Sequence, residues 1–163
     1  MNYDEIADKI ADVLGSVSGF GGTIYSYIPV AHTETEIAER FVNSQGQIDA
    51  WFISRVAVSS LRPGAMGQVP FTYRGRLHTF RISGFKGVVE DNSGTPSEVA
   101  FQMLCDDIEA ALAPTLCLGV TDQSLVVTDI NEAIGYEMWM NTLCHRVTID
   151  LTVREVVQTT YVV

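Results

Sequence analysis

The sequence predicts an α+β domain: a mostly antiparallel sheet of about four to six strands, including a long hairpin, with two helices packed on one face. Three observations predict it. Residues 3–14 and 96–112 carry apolar residues at helical spacing. Residues 145–155 alternate apolar and polar without a break, which is the pattern of a strand with one buried and one wet face. Between them lie β-branched and aromatic runs bounded by Gly and Pro, in the order helix, strand, short helix, long strand, hairpin, helix, strands.

In the first helix Tyr3, Ile6, Ile10, Val13 and Leu14 share one face, and Asp4, Glu5, Asp8, Lys9 and Asp12 take the other. Acidic residues in its first turn suit the helix dipole. Gly15 and the glycine-rich S-V-S-G-F-G-G that follows end it, through the left-handed conformation that glycine readily takes. Thr23–Ile28 is a strand closed by Pro29. Within Ala31–Gln47 the pattern reads as a short helix, with Thr33 and Glu36 as a capping box.

Ile48–Leu61 is a long strand with apolar residues on both parities, which predicts a central strand covered on two sides. Arg62–Gln68 is a loop or hairpin tip with Pro63-Gly64 as its turn. Val69–Phe85 reads as a hairpin turning at Arg74-Gly75 or Gly75-Arg76, with one long bent strand through Gly75 as the alternative. Thr95-Pro-Ser-Glu98 opens the second long helix: Thr95 as cap, Pro96 at the first helical position, Glu98 completing a capping box. Phe101, Leu104, Cys105, Ile108, Ala111 and Leu112 form its apolar face, and Pro114 stops it. Ser124–Thr128 and Gly135–Met140 read as two further strands, and the tail 156–163 stays β-prone. With no repeat or linker, residues 1–163 are expected to form one domain, with 156–163 as an extended tail.

A 163-residue chain with 47% hydrophobic and 18% charged residues can bury a core. Its net charge of −10 argues against tight binding to a phosphate backbone, which needs clustered Lys and Arg. Three cysteines with no C-x-x-C pair argue against a disulfide framework or zinc site, and fit a reducing compartment. Met1-Asn-Tyr-Asp-Glu lacks the pattern of a signal peptide, and no apolar run reaches the length of a membrane span. A soluble protein made in a cytoplasm, without membrane contact, is the expectation.

No constellation for catalysis stands out, and no cofactor or metal is expected. His32, His78 and His145 are scattered. Cys144-His145 are neighbours on a strand, so their side chains diverge. Asp106, Asp107 and Glu109 read as a solvated helix face, and neither G-F-G-G nor G-F-K-G has the frame of a phosphate loop.

Charge is unevenly spread. Residues 61–90 hold Arg62, Arg74, Arg76, Arg81 and Lys86 against Glu90, a local +4 that leaves −14 elsewhere. Such residues guard a sheet edge against aggregation, or they dock on an acidic face of another copy, here Asp106 and Glu109. Met138, Trp139 and Met140 cannot all face one core, which makes Met138 and Trp139 candidates for a partner surface.

The elements resemble those of the tail-terminator and tail-completion proteins that join head to tail in long-tailed bacteriophages. The resembling parts are the Y-D-E-I-A-D-K-I-A-D-V-L helix, the I-Y strand, the W-F-I-S-R-V-A-V strand, the F-R-I-S-G-F arm, the P-S-E-V-A-F-Q-M-L-C-D-D-I-E-A-A-L helix and the R-V-T-I-D-L-T-V-R-E strand. The resemblance implies a structural virion protein of the tail or neck, not an enzyme. It implies a closed ring of about six copies that ends tube polymerisation and offers the joining surface. Implied partners are the chain itself, the tail tube protein, a head-completion or connector protein, and DNA passing through the lumen without specific binding. An adaptor or ligand-binding domain, or an enzyme with an unrecognised site, is the alternative.

Overall fold

The computed structural model describes residues 2–27, 33–61, 74–89, 96–113, 118 and 125–157. The elements are α1 (Tyr3–Gly15), β1 (Thr23–Tyr25), α2 (Glu34–Phe41), β2 (Asp49–Leu61), β3 (Arg74–Gly87), α3 (Ser97–Leu112), β4 (Leu125–Trp139) and β5 (Thr142–Val157). The five strands form one sheet in the order β1-β2-β3-β5-β4. Only β1 on β2 is parallel; the other three pairings are antiparallel. The α+β class is as expected, with a mixed sheet.

Local chemistry fixes the helix ends. The Asn2 N–H donates to Glu5 Oε2 at 2.8 Å, closing the first turn of α1. The chain leaves α1 through Ser16 in right-handed conformation, and the left-handed residue is Gly19 at φ +82°, not Gly15. The capping box of α2 is present: Thr33 N–H donates to Glu36 Oε2 and Glu36 N–H to Thr33 Oγ1, both at 3.2 Å. The helix α3 begins at Ser97 with Pro96 as its N-cap residue, one position later than expected. Thr95, Pro114, Pro29 and the Arg62–Gln68 turn lie outside the described residues.

Two expectations are corrected. First, no turn falls at Gly75; of the two readings of this stretch, the strand through Gly75 is the one that forms. Gly75 pairs with Leu61 on one side and Val156 on the other, so β3 runs unbroken through it. The longest hairpin is instead β4–β5, turning at Met140 and Asn141, whose φ of 52° and 61° suit a two-residue primed turn. Second, the strands expected at 124–128 and 135–140 are one strand, β4, with a register shift between Val127 and Asp129. The two long helices, α1 and α3, lie on one face as expected, and the short α2 adds cover on the other.

The first face of the sheet is covered by α1 and α3. Ile6, Ile10 and Leu14 of α1 and Phe101, Leu104, Ile108 and Leu112 of α3 close over Trp51, Ile53, Phe80, Ile82, Val147, Ile149, Leu151 and Val153. Trp51 is fully buried because Gly84 and Gly22 have no Cβ; one added at either would collide with its ring. Its Nε1–H donates to buried Asp49 at 3.0 Å, and Asp49 also pairs with Lys86 Nζ at 3.3 Å. On the second face, Phe41 of α2 meets Ala50, Phe52, Phe85 and Cys144, with Trp139 stacked on Phe85 at 4.8 Å between ring centroids. That cover reaches only one end of the sheet.

Candidate functional site

Polar side chains that could carry chemistry meet inside the fold at Ser97–His145, Cys105–Glu132 and His78–Glu155. Ser97 Oγ lies 3.0 Å from His145 Nε2 and accepts Val89 N–H at 3.4 Å. The His145 ring packs against Phe101 and Tyr136 at 5.1 and 5.0 Å, and burial pushes its pKa down. This arrangement ties α3 to the end of β3. Among the described residues no carboxylate hydrogen-bonds His145, so the orienting third group of a nucleophilic triad is missing. Cys144 enters the aromatic cluster under α2, on the opposite face from His145, as the strand geometry requires.

Cys105 is fully buried, and burial together with nearby Glu132 pushes its thiol up to about 12. A thiol held protonated is a poor nucleophile. Burial likewise raises the Glu132 carboxyl, whose Oε1 has no hydrogen-bond partner among the described residues. His78 Nε2 lies 2.9 Å from Glu155 Oε2, both side chains buried. Burial pushes Glu155 up, but hydrogen bonds, that of His78 among them, outweigh it and hold the carboxyl low. Among the described residues no group of three His, Cys, Asp or Glu side chains is placed to hold a metal ion. No described helix is long and apolar enough to cross a membrane.

Among the described residues two clefts open on the surface. One, of about 470 Å³, runs over the β5–β4 end of the second face and is lined by Arg81, Asp150, Arg146, Thr148 and Asn131. Both arginines are already engaged. Arg81 Nε and Nη2 donate to Asp150 at 2.8 and 2.9 Å, and Arg146 Nη1 lies 2.9 Å from Glu137. The Arg81 hydrogen bond holds Asp150 below the usual carboxylate range and raises Arg81 in turn. The other, of about 570 Å³, is framed by Gly46–Ile48, Gly87–Val89 and the Met140–Asn141 turn.

The surface is more informative than the interior. Helices α1 and α3 expose Asp4, Glu5, Asp8, Asp12, Glu98, Asp106, Asp107 and Glu109, against Lys9 alone among basic residues. The far end of the sheet exposes Arg55, Arg76 and Arg154 from three adjacent strands. Arg55 lies over the Tyr3 ring at 5.2 Å from its centroid.

The expected partner surface is therefore redrawn. Asp106 and Glu109 are exposed on α3 and Arg76 is exposed on β3. Arg81 and Lys86 are not free charges, since Asp150 and Asp49 neutralise them within the chain. Arg62 and the Arg74 side chain lie outside the described residues, as does His32. Met138 points outward at 64% exposure, whereas Trp139 packs against Phe41, Phe52 and Phe85. Arg55 and Arg154 were missed because strand register is a tertiary fact: Arg55 pairs with Phe80 on the face that Arg76 shares, and Arg154 pairs with Leu77 on the opposite face; their charge was the available signal. No family model matches the chain, and no curated protein matches it as a relative.

Proposed function

We propose that this chain is a structural subunit that assembles with its own copies into a ring at the top of a phage tail. There it ends tube growth and presents the surface on which head and tail join, with the tail tube protein on one side and a connector or head-completion protein on the other. It acts without catalysis or cofactor, within the virion. The observation that carries this reading is the division of charge: an acidic helix layer and an arginine-bearing sheet end on one chain. Opposite patches at different places on one molecule favour head-to-tail contact, and head-to-tail contact closes into rings when the rotation allows. The excess of carboxylates also repels a phosphate backbone, which suits DNA that must pass without sticking.

Native mass spectrometry and negative-stain microscopy, at low and high salt, test it. A closed ring at low salt that loosens as salt screens the patches is expected. A chain that stays monomeric at high concentration and low salt overturns it.

A further inference from the structure

The helix layer stops short of the last strand. Rows across the sheet set Ile134 with Val147 and Gly84, Tyr136 with His145 and Lys86, and Met138 with Leu143. Val147 belongs to the core under α1 and α3. Ile134, Tyr136 and Met138, every second residue of β4, therefore point to that same side. They are nevertheless bare, at 45, 52 and 64% exposure, and Leu143 joins them at 46%. An apolar strip of this kind, rimmed by polar residues, marks a surface that another molecule covers.

Helix α3 forms one wall of the strip. Glu98 lies beside the Tyr136 hydroxyl, and Glu109 and Asp106 lie beside the Glu132 carboxyl, two residues before Ile134. Glu98, Gln102, Asp106 and Glu109 follow at helical spacing, so this flank of α3 faces β4 along its length. Neither α3 nor β4 contains Lys or Arg. The basic residue in the Tyr136 row, Lys86, is paired with Asp49 at 3.3 Å. No described strand lies beyond β4, so the other side of the strip is open.

Shape and charge select the occupant. Ile134 to Met138 spans about 13 Å, the length of about nine helical residues. One more helix laid beside α3 completes the layer over β4. An apolar floor with an acidic wall suits a helix whose apolar face is flanked by Lys or Arg. The described helices of a second copy do not meet that need. Acidic residues outnumber basic ones in each: Asp4, Glu5, Asp8 and Asp12 against Lys9 in α1, Glu34, Glu36 and Glu39 against Arg40 in α2, and no basic residue in α3. Such a helix sets carboxylate against carboxylate. An anionic membrane surface is repelled by the same wall.

We infer that this strip is a docking groove for a basic amphipathic helix of a partner protein, whose apolar face covers Ile134, Tyr136, Met138 and Leu143 and whose Lys or Arg side chains meet Glu98 and Glu109. The inference does not rest on the ring proposed above, since no contact between copies enters it.

Two labelled peptides of about eighteen residues, or five helical turns, test this on the full chain by fluorescence anisotropy. Both carry Leu along one helix face; one has Lys on the other face and the second has Glu. The Leu/Lys peptide is expected to bind, and the Leu/Glu peptide to bind at least about tenfold more weakly. Glu98→Gln with Glu109→Gln is expected to weaken the Leu/Lys peptide about tenfold, and Ile134→Ser with Met138→Ser about fivefold or more. Asp8→Asn with Asp12→Asn removes the same charge from exposed positions on α1 and is expected to change binding less than about twofold. Melting curves confirm that the variants fold. If the paired Ser variant does not, Met138→Ser alone, at the most exposed of the four positions, takes its place.

A Leu/Lys peptide that fails to bind below about 100 μM overturns the inference. So does equal binding of the two peptides, a loss in the α1 variant as large as that in the α3 variant, or a Ser variant that binds as the wild type does.

Discussion

The two ends of β2 share a strand and almost nothing else. From Asp49 to Ile53 every residue is buried, with Ala50, Trp51 and Ile53 fully so. From Arg55 to Ser60 every residue is exposed. Both ends keep the same ladder with β3, broken only by the register shift between Arg55 and Ala57. The cover differs. Over the first end α1 and α3 close one face and α2 the other, while no described element lies over the second. Hydrogen bonding along a sheet can thus extend past its core. What the extension lacks is apolar burial, the dominant favourable term in folding. Stability is concentrated in the covered half.

The largest effect is expected at the centre of the covered half. Trp51→Ala removes a ring held by Gly84, Gly22 and Phe20, the last at 4.9 Å between centroids, and leaves a cavity that this packing cannot collapse. A loss of about 3–5 kcal/mol is expected in urea unfolding. A loss under about 1 kcal/mol would mean that Trp51 is not the centre of the core.

A smaller effect, of opposite sign, is expected where the cover ends. Ile53, Ile82, Ile149 and Glu132 form one row, and Glu132 is its far end on the edge strand. Burial is the main cause of its raised pKa, with Glu109 and Asp106 adding to it and the Cys105 thiol opposing. The sign follows from linkage. The folded chain holds this proton more tightly than the unfolded chain, so its contribution to stability is fully present below the unfolded carboxylate value. That contribution is lost as pH rises through the raised one. Glu132→Gln is therefore expected to raise stability near pH 8, by no more than about 0.5 kcal/mol because solvent screens a part-exposed carboxylate, and to leave it unchanged near pH 4. Thermal melts at the two pH values check this. An equal shift at both would show that the carboxyl is not strained by burial.

Much of this division was legible in the sequence, and the rest fails for identifiable reasons. The α1 and α3 stripes, the Thr33–Glu36 cap and the alternation through Val147–Val153 are local patterns, and local patterns survive folding. Apolar residues on both parities of β2 announced two-sided cover, but only for its first five residues. The register shift then moves Val58 opposite His78, onto the face of the covering helices and beyond their reach. Gly75 looked like a turn because glycine permits one; between two neighbouring strands it is simply a residue without a side chain. Ser124–Thr128 and Gly135–Met140 read as two strands, yet an edge strand tolerates the polar Asp129, Asn131 and Glu132 between them. Trp139 was read as outward because the cover supplied by α2 is a tertiary fact with no local signature. The pairing of Arg81 with Asp150 and of Lys86 with Asp49 depends on strand register, so the local surplus of basic residues overstated the free charge.

The smallest effect on the isolated chain should come from the bare half. Val58 is 47% exposed, and Val58→Thr keeps the β-branched shape and strand preference while replacing a methyl with a hydroxyl. With nothing described packed over it, the monomer should change by no more than about 0.5 kcal/mol in urea unfolding at high dilution. A loss above about 1 kcal/mol would mean that Val58 is part of the folded core after all, and the two ends of β2 would no longer differ in kind.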